Sequence, residues 1–324
     1  MIITRTPYRV SLFGGGTDHP DWYRKNGGAV LSFAIDKYCY ITLRELPPFF
    51  DHSYRVAYSK VETVTSIDEI IHPAVREGFR KYAPGLPLEL HHHGDLPSRS
   101  GVGSSSAFAV GLIHSLSILN NSPLSANEIA NHAITFEQKI LNETVGSQDQ
   151  IACSLGGMNF IEFGPGDSWS AKKLSPSSNY LKEIESRIVL LFSGISRLSS
   201  DVSKSLIENL ELKKNSMTRT EELANECRVI FESEGDLNQI GSMLNESWKL
   251  KKSMNPSSVT PLLQDFFEKA LKAGAQGGKI LGAGGGGFFL FWVDPEIRDY
   301  FINEMSPSVH VPIQISNEGT TRII

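Results

Sequence analysis

The stretch DLPSRSGVGSSSAF, Asp95 to Phe108, joins a β-like run, Leu88 to His93, to an apolar helix beginning near Ser104. Gly101 and Gly103 remove Cβ atoms where a backbone must come close to something else. Ser104, Ser105 and Ser106 occupy the first helical turn, whose amides lack intrahelical partners and face the positive end of the helix dipole. Taken alone, GSSS is either a turn with an N-cap or an anion site. The strand and helix on either side hold it rigidly, which favours the second reading. It contains no GxxxxGK[ST], and no strand-turn GxGxxG with a ribose-binding acid follows. The segment therefore reads as a phosphate loop without its own lysine.

Upstream, Ile2 to Phe13 alternates apolar and polar residues around Pro7, which predicts two short strands joined at a bend and leading into Gly14-Gly15-Gly16-Thr17-Asp18. Gly27–Ile35 and Tyr38–Glu45 predict a strand pair, Tyr54–Ser59 another strand, and Ile67–Tyr82 a helix. His91-His92-His93 lie on consecutive strand positions that point to opposite faces, so they read as partly exposed histidines rather than a metal site. With 324 residues, 40% hydrophobic and 21% charged, the chain suits two domains. A net charge of −5 gives no electrostatic reason to expect nucleic acid. Ile2 to Arg5 reads as a strand rather than a leader, and no apolar run is long enough to span a bilayer, so a cytoplasmic protein without membrane partners is expected. Cys39, Cys153 and Cys227 read as reduced, buried thiols.

Downstream, Ser125 caps a helix to about Leu141, with Glu128 at the capping-box position. Glu137, mid-helix beside Lys139, reads from the sequence alone as a solvated surface charge. Gly146-Ser147-Gln148-Asp149-Gln150 opens the apolar segment Ile151–Leu155, closed by Gly156-Gly157, and Asp149 there matches a helix dipole. Met158–Phe163 and Ala171–Leu174 predict strands, and turn residues place a domain boundary near Pro176. Arg187–Phe192 predicts a buried strand. Helices are expected over Asp201–Glu211, Thr218–Phe231, Leu237–Leu250 and Leu262–Ala273, then the strand Gly286–Val293, a helix near Pro295–Met305 and two strands that close an α+β second domain.

Three stretches resemble the signatures of the GHMP small-molecule kinases: PYRVSLFGGGTDH (Pro7 to His19), GVGSSSAF, and KILGAGGGGFFLF (Lys279 to Phe291). The resemblance implies a two-domain α+β fold of mixed sheets and helices, with an N-terminal unit over 1–176, a C-terminal unit over 177–324 and the active site in the cleft between them. It implies ATP held by Gly101, Val102, Gly103, Ser104, Ser105 and Ser106, and Mg2+ on Ser105 and Glu137. Asp149 becomes the catalytic base and Arg9 its neighbour at the transferring group. Gly15, Gly16, Thr17, Asp18, Gly156, Gly157, Gly284 and Gly285 are expected to bind the acceptor. RVSLFGGGTD is similar to the galactokinase RVNLIGEHTD, but Gly15 and Gly16 replace Glu and His. That loss of side chains and negative charge suits a longer or phosphorylated sugar, as in the branch acting on D-glycero-D-manno-heptose 7-phosphate. The implied partners are ATP and a sugar phosphate phosphorylated at its anomeric hydroxyl, with fucose or galactose the alternative acceptors and a silent binding protein the non-enzymatic one. Arg24, Lys25, Lys37 and Arg99 are the cations considered for a distal phosphate. The oligomeric state is left open, a homodimer included.

Overall fold

A computed structural model of the chain describes residues 1–195 and 210–324. Its first sheet is built on β1 (Ile2–Phe13) and β2 (Gly28–Glu45), flanked by β3 (Tyr54–Ala57), β4 (Val61–Val64), β5 (Leu88–Gly94), β6 (Met158–Phe163) and β7 (Trp169–Leu174). β2 carries the architecture. Its first half pairs with β6, its second half with β5, and both halves with β1.

The expected bend in β1 is a register shift within one strand, between Pro7 and Arg9. Proline has no N–H for the ladder, and the Arg9 amide leaves it to donate to the Val102 carbonyl at 3.0 Å. That irregularity ties the first motif to the phosphate loop. The expected pair Gly27–Ile35/Tyr38–Glu45 is instead one 18-residue strand. The chain stays extended at Asp36 because the C-terminal segment pairs there: Asp36 N–H donates to Gln314 O, and Ile35 bridges Ile315.

Proline also moves the next helix. It begins only at Pro73 (α2, Pro73–Tyr82), capped by His72, after a separate 3₁₀ turn at Ile67–Glu69. A short helix α1 (Pro20–Asn26), its Trp22 and Tyr23 buried, follows the triple glycine and was not expected. α3 (Ser104–Leu119) buries all sides of its middle turns between the sheet and α4 (Ala126–Thr135), as an apolar run without a polar face requires. The Ser125–Glu128 capping box is present at the start of α4. Next come α5 (Gln148–Leu155) and α6 (Ser178–Arg187).

The second sheet has the order β11 (Val309–Val311), β8 (Ile188–Phe192), β10 (Phe288–Trp292), β9 (Gly277–Ile280), all antiparallel. FFLFW is buried on both faces. Phe288, Leu290 and Trp292 join the large core shared with the first sheet, while Phe289 and Phe291 pack under the helices of the second half. Those helices are α7 (Lys214–Glu232), α8 (Gln239–Met254), α9 (Pro261–Lys272) and α10 (Arg298–Glu304). Of the helix expected over Asp201–Glu211, residues 201–209 lie outside the described residues; Leu210–Lys213 form a 3₁₀ turn.

The last strand corrects the expectation that the C-terminus closes the second domain. β12 (Thr321–Arg322) pairs with Thr4 and Arg5 of β1, and the tail leading to it lies along the first sheet. Thr320 shares hydrogen bonds with Thr6 at 2.8 Å and His114 at 3.0 Å, and Arg5 reaches Glu318 at 2.8 Å. Deleting residues 317–324 exposes the edge of β1 and strips these partners, so the thermal midpoint should fall by several degrees in calorimetry. An unchanged midpoint would mean the tail contributes nothing to the fold.

Candidate active site

The serine turn, Arg9 and Asp149 meet. Arg9 grips Asp149 bidentately, Nε to Oδ1 at 2.7 Å and Nη2 to Oδ2 at 2.5 Å, while Nη1 donates to the Gly101 carbonyl at 2.6 Å. Arg9 is 3% exposed, and the Asp149 side chain is 23% exposed at the mouth of the loop. Burial opposes the Arg9 charge, but the adjoining Asp149 carboxylate outweighs it, so the guanidinium lies above its ordinary value. Gly103 sits under this pair: a Cβ there would lie 3.1 Å from Arg9 Cγ and 3.4 Å from Asp149 Oδ2.

Gly101 is one point where the two halves of the chain touch. Its φ is +86°, and a Cβ on it would lie 2.5 Å from the Leu281 carbonyl. The third glycine motif thus lies directly on the loop, and Phe288 N–H donates to Ser100 O at 2.9 Å on the same side. Among the serines the roles differ. The Ser104 hydroxyl accepts from Arg99 N–H at 3.1 Å and fixes the turn, whereas Ser105 and Ser106 donate to Glu137 at 3.2 and 2.7 Å. Val102 is fully buried.

Glu137 is not a surface charge; it has no exposure at all. α4 runs into a π-helical turn, Phe136–Ile140, and Glu137 continues the buried face of Ala130 and Ala133 toward α3. Its carboxylate also accepts from Gln150 Nε2. Burial, then Glu143, pushes Glu137 up to about 8, since no cation stands beside it. A buried carboxylate with two hydroxyls and no cationic partner is an oxygen donor set that fits Mg2+.

The first glycine motif serves partly as scaffold. Thr17 is buried and donates to Gly14 O and Ala29 O at 2.8 and 3.1 Å. Asp18, 2% exposed, accepts from Gly16 N–H at 2.9 Å and Gln148 N–H at 3.2 Å, tying the motif to the start of α5. Gly15 is closely packed: a Cβ there would lie 3.3 Å from Ser11 Oγ and 3.5 Å from Gln148 Nε2. Ser11 Oγ and Gln148 Oε1 are buried without a hydrogen-bond partner among the described residues. Sequence reading missed both, since serine and glutamine in isolation carry no pattern.

Two expected acceptor contacts, Gly156 and Gly157, are placed away from the serine turn, whereas Gly284 lies beside Lys251, whose ammonium reaches Gly282 O. Gly156 packs on the Glu318–Gly319 backbone and borders a separate cavity of about 610 Å3. Gly157 approaches the Lys173 side chain. Both lie at the end of α5 opposite Asp149, about 10 Å away along the axis. Gly284 lies against Ser258, and Gly285 N–H donates to Ser258 O at 2.8 Å. Of the cations considered for a distal phosphate, Arg24 is held by Asp167 and Lys37 by Asp36. Among the described residues, no helix is long and apolar enough to cross a membrane.

The models of the GHMP kinases N-terminal and C-terminal domains match residues 69–157 and 212–306. The D-glycero-alpha-D-manno-heptose 7-phosphate kinase of Campylobacter jejuni is 31% identical over 315 residues, which cover 91% of this chain and 90% of that one. The galactokinase of Pyrococcus furiosus is 24% identical over 91% of this chain and 90% of its own. A solved structure described as a D-glycero-D-manno-heptose 1-phosphate kinase, from Bacteroides thetaiotaomicron, superposes with a TM-score of 0.83 at 23% identity, covering 100% of this chain and 99% of that one. That last likeness concerns the fold; the first relative and the two domain models go further, and they establish that this chain belongs to the GHMP kinase family, a family of ATP-dependent kinases.

Proposed function

We propose that the protein transfers the terminal phosphoryl group of ATP to the anomeric hydroxyl of D-glycero-D-manno-heptose 7-phosphate, giving the 1,7-bisphosphate used to make nucleotide-activated heptose. The bidentate Arg9–Asp149 pair at the mouth of the serine turn carries this reading. Phosphoryl transfer needs an in-line acceptor, charge neutralisation and a group to receive the acceptor's proton. In this reading the free amides of Ser104 to Ser106 bind the nucleotide phosphates. Asp149, oriented by Arg9, takes the proton from the acceptor hydroxyl. Ser105 and Glu137 would hold Mg2+, which when bound neutralises phosphate charge. The division at 176/177 into a nucleotide-holding unit and a capping unit belongs to the same reading.

The acceptor assignment draws on the heptose 7-phosphate kinase relative. With heptose 7-phosphate, kcat/KM should exceed that with free galactose or fucose by at least ~10²-fold. A higher value for either free sugar would remove the heptose-phosphate assignment. Gln148 and Ser11 present unpartnered polar atoms beside Gly15, where acceptor hydroxyls would lie. Gln148→Leu should therefore raise KM for the sugar by about 10-fold and leave KM for ATP unchanged, because one hydrogen bond to the substrate is lost.

A further inference from the structure

Two lysines of the C-terminal half, unremarkable in the sequence, reach one wall of the site. Lys279, on β9 and 6% exposed, donates from Nζ to the Leu12 carbonyl at 3.1 Å, three residues beyond Arg9 on β1. Lys251, in the last turn of α8, donates to the Gly282 carbonyl. Gly282 lies on Gly101, and the Gly101 carbonyl receives Arg9 Nη1. Three cations therefore surround the contact between the phosphate loop and the third glycine motif.

Their negative partners do not match them. Asp149 is engaged bidentately by Arg9, and among the described residues neither lysine has a carboxylate partner; each rests on a main-chain carbonyl. An ammonium taken out of water without a counter-charge is costly. Burial, followed by Lys279 and Arg9, pushes Lys251 down to about 7, and burial with Arg9 pushes Lys279 down to about 8. Such a cluster is stabilised by an anion entering among its members.

We propose that Lys251 and Lys279 form a phosphate-binding pair on the C-terminal wall of the cleft, receiving a phosphate group from a bound ligand opposite Arg9. The inference rests on the kinase reading. A lysine supplies a compact charge with three donors, which suits a phosphate that arrives and leaves. The phosphate comes from the nucleotide's terminal group or from the acceptor, and the two sources are separable by experiment. The competing role is structural, since the Lys279–Leu12 contact joins the two sheets.

The test uses Lys251→Met and Lys279→Met in the full chain. Thermal shifts with inorganic tripolyphosphate, ATP and ADP are read against each variant's own ligand-free midpoint, which removes any change in basal stability. Steady-state rates with heptose 7-phosphate and unphosphorylated heptose follow. Loss of one charge-assisted hydrogen bond should weaken the phosphate ligand by about 10- to 100-fold. Loss for ATP and tripolyphosphate with ADP unchanged supports the pair and assigns it to the nucleotide. Loss of the preference for the phosphorylated sugar, with ATP binding unchanged, supports the pair and assigns it to the acceptor. Wild-type values in both arms overturn the proposal and leave the lysines as ties between the sheets. Should Lys279→Met fail to fold, the Lys251→Met variant decides the question alone. A wild type that binds tripolyphosphate through these lysines but phosphorylates no sugar would refute the kinase reading and spare this one.

Discussion

Asp149→Asn should cut kcat by about 10²- to 10⁴-fold, the usual contribution of a general base, while ATP still binds with near wild-type affinity. The amide cannot take the acceptor's proton. It also faces one Arg9 N–H with an NH2 group, so part of the bidentate grip is lost. Arg9 is then a buried cation without its counter-charge, and breaking such a pair costs about 3–5 kcal/mol. The variant should accordingly melt lower than the wild type. Adding Arg9→Met removes the orphaned charge, so the double variant should recover much of the midpoint and none of the turnover. Single-turnover kinetics with nucleotide titration and calorimetry would check both halves. Near wild-type turnover in Asp149→Asn would exclude Asp149 as the base.

Glu137→Gln should act in opposite directions on stability and on catalysis. In the metal-free protein Glu137 is shifted from its ordinary 4.5 up to about 8, first by burial and then by Glu143. The folded chain therefore holds this proton more tightly than the unfolded chain does. Stability from the neutral form is present at acid pH and is lost as pH rises from about 4.5 toward 8, at about 1.4 kcal/mol per pH unit. Glutamine keeps the shape and never ionises; its one oxygen can accept from Ser106 and Gln150 while its NH2 group donates to the Ser105 hydroxyl. With EDTA present, the wild-type midpoint should decline between pH 5 and 8 more steeply than that of Glu137→Gln. With magnesium present the order reverses in the assay: removing the carboxylate should raise the magnesium needed for half-maximal rate by at least about 10-fold. Parallel melting curves with pH would show that Glu137 titrates normally, and an unchanged magnesium requirement would place the ion elsewhere.

Local chemistry made much of this readable in advance. Ser125 and Glu128 cap a helix, and the unbroken apolar run FFLFW is a strand. The loop before α3 is legible because glycine and serine at a helix start have few other uses. Less was legible where a distant segment decides. Asp36 looks like a turn until Gln314 supplies its hydrogen-bond partner from the far end of the chain. α1 escaped because seven residues give too little periodicity.

The sequence by itself determined the order of strands and helices over most of the described chain and the three motifs that mark the family, because turn chemistry, capping and hydrophobic period act over a few residues. Only the tertiary structure decided what those motifs touch. The packing of α4 on α3 buries Glu137 against two serines, Arg9 of β1 meets Asp149 of α5, and the tail packs on Gly156. Lys251 and Lys279 are ordinary residues until α8 and β9 are packed. The cost of burying a charge depends on neighbours that the chain brings together only when it is folded.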